Sequence, residues 1–424
     1  MAVAGLSLPA PASALRWCGN DVAQTDRLPE AVAARQIHVV YAIPSDGADR
    51  FAASAGPIVT DVAAIDAWWR AQDAGRAPRF DLFAFPGCDS TLGLLDLSFV
   101  RLAHDAAYFS PIETRLQRLI TDLAAPPGSF GNGFKRYLVY YDAPVDRPDV
   151  CGFSPIVPDR GGFPSLVFLQ ACPSNLGQGL SMALTAGHEL IHNLGAVVDA
   201  APHRCADSAH VCDNGNDSMS ASFNDASRPL STYALDVGRD DYYGHSGPWF
   251  DVQDSPWLSH LDAPQFELSV AITGKPADKV TSDFPGIDCP TACRIPWDSG
   301  TPVSLSAATG DEVTRFVGWR GACTGAQESC ALVMDAPKSV TAVFGPSTFR
   351  VAVSVAGRGR VTAPGFSCSR RCAEAFDADT RVRFRAVPAK GWRFTGWSGS
   401  CRGTRPCSVR IDAARTLRAT FRRR

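Results

Sequence analysis

The chain has no run of 18 or more apolar residues, which excludes an integral membrane protein that crosses the bilayer by helices. It shows no extreme of overall charge: 20% of its residues are charged and the formal net charge is -2, as in an ordinary globular chain. No RNA or DNA motif is present, so nothing points to specific nucleic-acid binding. Residues 1–16 lack the basic start of a secretory signal. Their stretch MAVAGLSLPAPASA is nevertheless apolar, rich in small residues and closed by Ala-Ser-Ala, and reads as the remnant of one. One further absence bears on chemistry: no glutamate occurs between Glu189 and Glu267.

What is present is enough for two or three domains, with 424 residues of which 45% are hydrophobic. Of the 14 cysteines, eight fall in short regular pairs that suit disulfides better than metal sites, which places the protein outside the cytoplasm, secreted or at the cell surface. Of the remaining six, spacing favours only Cys205 with Cys212. The net charge conceals an asymmetry. Lys plus Arg against Asp plus Glu number 17 against 30 in residues 1–265, 6 against 9 in 266–346, and 18 against 4 in 347–424. Balances so different argue for separate domains with those borders.

The C-terminal third is a tandem repeat. CPTAC at Cys289 to Cys293 returns as CSRRC at Cys368 to Cys372, and FVGWRGACTGAQESC at 316–330 returns as FTGWSGSCRGTRPC at 394–407. Apolar residues alternate and Gly-rich turns separate the runs, so 266–346 and 347–424 are each expected to be a small all-β domain of short antiparallel strands, stapled by two local disulfides. With Gly318, Trp319, Gly396, Trp397 and the paired cysteines, these units resemble bacterial repeats of the divergent internalin B type, which the resemblance places on secreted and surface proteins. The basic second repeat is a candidate to hold an anionic cell-surface polymer.

Residues 17–265 read as mixed α and β. Strands are expected at 36–44, 79–85, 136–142 and 165–171, all rich in Val, Tyr, Phe and Leu, and helices at 60–72 and 112–124, where apolar residues recur at three and four. The segment 179–195 is the best helical candidate and ends at Gly195. It carries H-E-x-x-H. On a helix His188 and His192 lie one turn apart on one face and can share a Zn2+, while Glu189 can reach the metal-bound water as general base.

A catalytic zinc needs a third protein ligand and an open fourth position. The missing glutamates exclude the zincin class that takes a downstream Glu. In the class that turns at the glycine, the third ligand would fall at position 198, which is Val198. Candidates beyond it are Asp199, one residue late, His203, His210 and Asp213. His210 is favoured because Met219 follows in NDSMS as a methionine turn, with Asp213 and Asp217 available to orient the imidazole; His203 and Asp199 are the alternatives. In LDVGRDDYYGH at 235–245, Asp236, Asp240 and Asp241 form a cluster of hard oxygen donors, a candidate Ca2+ site, with Asp240 or Asp241 as outside candidates for the zinc. Tyr243 and His245 are candidates for the cleft, Tyr243 as an oxyanion donor.

H-E-L-I-H-N-L-G-A-V, followed by A-P-H, H-V-C-D and D-S-M, resembles secreted bacterial metzincin-like zinc metallopeptidases with a lengthened loop before the third ligand. The resemblance implies an α+β zincin-like catalytic domain, with a mixed sheet and an active-site helix, in a monomer acting on a protein or peptide substrate. The rival expectation is an adhesin or surface-binding protein whose zinc is structural or absent.

Overall fold

The computed structural model describes residues 17–19, 26–27, 32–85, 87, 91–126, 128–171, 182–206, 208–223 and 228–424. The expected signal remnant at 1–16 and the start of the 179–195 helix lie outside them. The chain is mixed α/β, sheet-rich with few helices, and carries small β modules in its C-terminal part. It divides into two compact units. One comprises residues 1–266, 284–286 and 295–301; the other comprises 267–283, 287–294 and 302–424 and so contains most of both repeats. No helix among the described residues is long and apolar enough to cross a membrane.

The first unit is built on a five-stranded sheet. Its strands are β1 (Gln36–Ile43), β2 (Leu97–Arg101), β3 (Lys135–Tyr141), β4 (Gly152–Phe153) and β5 (Pro164–Phe168), in the order β2-β1-β3-β5-β4. The pairs β1–β2, β1–β3 and β3–β5 are parallel, and β4 alone runs antiparallel along the edge of β5. Every residue of β1, β3 and β5 is buried, as expected of parallel strands covered on both faces.

Alternation sorts the two faces. Ile37, Val39, Tyr41 and Ile43 join one core with helices α1 (Phe51–Gln72) and α3 (Met182–Leu194), while Val40 and Ala42 join a second core with α2 (Ile112–Ala124). Two expectations are corrected here. Residues 79–85 form no strand, because only Phe80 and Leu82 make isolated bridges; Asp81 is drawn instead into a buried cluster with His38 and Lys135. Helix α1 begins nine residues before the expected 60, running through Gly56 and Pro57 because Phe51, Ala55, Ile58 and Val59 bury one face.

In the second unit each repeat does more than zigzag. In the second repeat, sheets run Arg371–Asp377, Thr348–Ala356, Arg415–Arg423, Trp392–Gly399 and Phe366–Cys368, Gly359–Ala363, Arg381–Pro388, Cys407–Arg410. Most pairings are antiparallel, but the first and last strands of each repeat pair in parallel, at 268–273 with 338–343 and 351–356 with 415–420, which corrects the purely antiparallel expectation. The Gly-Trp motif marks a bulge. Gly318 and Gly396 have φ of 157° and 151°, and Trp319 and Trp397 donate from Nε1 to the carbonyls of Gln327 and Arg405 at 2.8 and 3.0 Å. The disulfides are local, Cys289–Cys293 and Cys323–Cys330 in the first repeat, Cys368–Cys372 and Cys401–Cys407 in the second.

Candidate metal centre

Helix α3 crosses beneath the sheet with every residue from Ala183 to Leu194 buried. Its end is fixed by the sequence. Gly195 takes φ of +118°, its amide donates to His192 O at 2.9 Å, and the Ala196 amide donates to Ile191 O at 3.2 Å, the two bonds of a left-handed helix stop. A side chain at 195 would meet the Phe250 ring at 2.5 Å. The chain then moves away from the helix face: Ala196 and Val197 enter the core, and Asp199 is 96% exposed, paired with Arg204 at 3.1 Å.

It returns through a small hairpin. The Cys212 amide donates to His203 O at 3.0 Å, the Cys205 amide donates to His210 O at 2.7 Å, and the Cys205–Cys212 disulfide closes the loop. Val211 donates to Met219 O at 2.9 Å, so the same hairpin leans on the methionine turn, whose Met219 is fully buried in the core of α3.

His188, His192 and His210 converge. Nε2 of His210 stands 3.1 Å from Nε2 of His188 and 3.3 Å from Nε2 of His192. The other ring nitrogens are engaged: His188 Nδ1 donates to Ser218 O at 2.7 Å, and His192 Nδ1 donates to Ala196 O at 3.2 Å. Those bonds fix the tautomer that leaves both Nε2 lone pairs facing the centre. Burial, together with the neighbouring imidazoles, lowers the pKa of His188 to about 4 and that of His192 well below its ordinary value; burial lowers His210 too. With the Nε2 of His210 beside them, these lone pairs meet at one point, an arrangement that a cation between the three rings would satisfy. Tetrahedral Zn2+ with bonds of about 2.0–2.1 Å would set its ligand nitrogens roughly 3.3–3.4 Å apart, close to the separations found.

Glu189 lies on the same helix, 7% exposed, and burial pushes its carboxyl up to about 8. It packs against the edge strand so tightly that a Cβ on Gly152 would lie 2.5 Å from its Cγ and 2.7 Å from its Oε1. A cavity of about 630 Å³ is lined by His188, Glu189, His192 and His210 together with the apolar side chains of Phe153, Ile156, Leu184 and Phe223.

The other sequence candidates lie elsewhere. His203 sits at the base of the hairpin, where its backbone amide and its Nδ1 meet Asp241 at 2.8 and 3.1 Å. Asp213 is near His203 at 3.9 Å, not beside His210, and Asp217 serves the methionine turn, accepting from the Met219 and Val237 amides and from Tyr242. Asp236, Asp240 and Asp241 form a separate cluster. Tyr243 is buried, donating to Asp73 at 2.9 Å and accepting from Trp69 at 3.1 Å, and His245 stacks on Trp249, so neither lines the cavity. Sequence reasoning missed the edge strand Gly152–Phe153 and the place of Phe223 in the cavity lining. Two residues are too few to show a period, and the only signal at 152 is the glycine itself.

The model of the divergent InlB B-repeat domain matches residues 292–348 and 349–424. Among solved structures the chain is similar to metalloproteinase-II from Bacteroides fragilis, at 14% identity over 51% of this chain and 55% of that one, with a TM-score of 0.28. It is also similar to wild type OgpA from Akkermansia muciniphila, at 12% identity over 94% of this chain and 99% of that one, with a TM-score of 0.27. The chain thus spans about half the length of the Bacteroides metalloproteinase. No curated protein matches it. What is established by similarity is that its C-terminal segments resemble divergent InlB B-repeat domains.

Proposed function

We propose that the chain is a secreted zinc-dependent endopeptidase, with a catalytic domain at 17–265 and appended repeats at 266–346 and 347–424. The observation that carries this reading is the convergence of three imidazole Nε2 atoms, with a buried carboxylate beside them, in the lining of an apolar cavity. His188, His192 and His210 would hold the metal. The chemistry that zinc would supply there is a water of lowered pKa and a polarised carbonyl. Glu189 takes the proton of the attacking water and returns it to the leaving amine. Among the described residues the edge strand Gly152–Phe153 has one side unpaired, where an extended peptide can add as a further strand, and the Phe153 and Phe223 rings would exclude water from its side chains. The basic second repeat would keep the enzyme near anionic surface polymer.

The test is zinc analysis combined with Glu189→Ala. The wild-type chain should carry one zinc and cleave peptide; the variant should keep its zinc and lose about 10²-fold or more in kcat. A variant that cleaves as fast as the wild type would refute the reading.

A further inference from the structure

We infer a second cation site, for Ca2+, at the base of the hairpin that carries His210, formed by Asp236, Asp240 and Asp241 with Asp213 beside them. Asp236, Asp240 and Asp241 each bring a carboxylate oxygen within 4.8 Å of the others, and Asp241 belongs to a second such group with His203 and Asp213. Among the described residues, His203 is the only basic side chain paired with any of these four carboxylates, at 3.1 Å from Asp241, 3.8 Å from Asp240 and 3.9 Å from Asp213.

Asp236 points to a missing counter-charge by itself. It is 7% exposed. Its Oδ2 accepts from the amides of Asp241, Tyr242 and Tyr243 at 3.2, 2.7 and 2.7 Å, while its Oδ1 is buried with no donor among the described residues. A buried carboxylate oxygen without a partner is costly, and a metal ion satisfies it. Asp240 and Asp213 are partly open to solvent, so a cation can enter and keep water ligands. An all-carboxylate set of this kind favours Ca2+ over the metals that prefer imidazole, and His203 is occupied in holding Asp241.

The placement gives the ion a task. His203 and Asp213 flank the disulfide-closed hairpin on which His210 stands, and the turn 236–241 faces that base. An ion between them ties the hairpin to the turn and so holds the imidazole of His210 in place from a distance. This site stands whether or not the chain is a peptidase.

The experiment uses Tb3+ as probe on the full chain. Trp249 donates from Nε1 to Asp241 O at 2.7 Å, so its excited indole lies close enough to sensitise a lanthanide in the site. Expected are saturable Tb3+ luminescence that Ca2+ displaces, about tenfold or more weaker Tb3+ binding in Asp240→Asn and Asp236→Asn, and unchanged Tb3+ binding in Glu189→Ala. Trp249→Phe should lose the luminescence but keep a Ca2+-dependent rise in Tm. Asp240 is half exposed, so its variant tests the site even if Asp236→Asn does not fold. Luminescence that is absent, indifferent to Asp240→Asn, or displaced by Zn2+ but not by Ca2+ would overturn the inference.

Discussion

Gly152→Ala tests the site through a single methyl group. The added Cβ would lie 2.5 Å from Glu189 Cγ, 2.7 Å from Glu189 Oε1 and 2.6 Å from the carbonyl oxygen of Leu166. Carbon atoms rest at about 3.5–4.0 Å, so roughly 1 Å of relief is needed. Leu166 cannot supply it, because β5 is buried throughout and paired on both sides, with β3 and β4. Either the Glu189 side chain or the edge strand must yield, and in the proposed reaction each is a working part: one would move the proton, the other would line the substrate. A displacement near 1 Å costs on the order of 10²-fold in rate. The three atoms nearest the new methyl group belong to Glu189 and Leu166 and not to an imidazole, so bound zinc should stay at the wild-type level. The assay is kcat and KM on an internally quenched peptide, with metal content measured on the same sample. A Gly152→Ala enzyme that keeps its zinc and stays within about threefold of wild-type kcat would show that the close packing of Glu189 against the edge strand has no part in catalysis.

His210→Ala should lose zinc while His203→Ala and Asp199→Ala retain it, as read by metal analysis after dialysis; zinc retained by His210→Ala would remove that residue from the ligand set. Breaking the Cys205–Cys212 bridge by paired Ser substitutions frees a loop whose closure is worth about 2.5 kcal/mol in the chain-entropy view, and both Tm and zinc affinity should fall. An unchanged zinc affinity would mean that the hairpin holds His210 without its clasp. Asp61 is buried, its Oδ2 lacks a donor among the described residues, and burial raises its carboxyl from 3.8 to about 7. Because the folded value exceeds the unfolded one, stability is full below about pH 4, declines as pH rises toward 7 and is level above. Asp61→Asn removes that decline. Its Tm should exceed the wild type at pH 8 by the equivalent of at most about 4 kcal/mol, with little difference at pH 4, and equal gains at both pH values would refute the assignment.

Much of this fold is legible in local pattern. The helix bearing His188, Glu189 and His192 stands out because two ligands one turn apart require only helical geometry, and Gly195 announces where that geometry stops. Strands β1, β3 and β5 show themselves as apolar runs because both of their faces are covered. Segment 79–85 has the same composition and is no strand, since Asp81 must turn inward to meet His38 and Lys135, which lie 43 and 54 residues away in sequence. The first turns of α1 hide behind Gly56 and Pro57, where tertiary burial overrides propensity.

Sequence spacing favours His210, through Met219, without deciding between it and its rivals, and the reason is physical. Asp199, His203 and His210 are all within reach of a flexible loop, and which one arrives depends on where the loop is tied. The ties are non-local: a disulfide between 205 and 212, the Val211 amide on Met219 O, and Asp241 gripping His203 at the far end. Each pulls His203 away from the centre and presents His210 to it. Two of these three ties depend on conditions outside the sequence, an oxidising surrounding for the disulfide and, if the second site is filled, free calcium for the grip on the base of the hairpin. A third ligand held in this way, as proposed for His210, would couple the state of the metal centre to the compartment. The short, direct turn from the glycine to position 198, which this chain does not use, would have carried no such dependence.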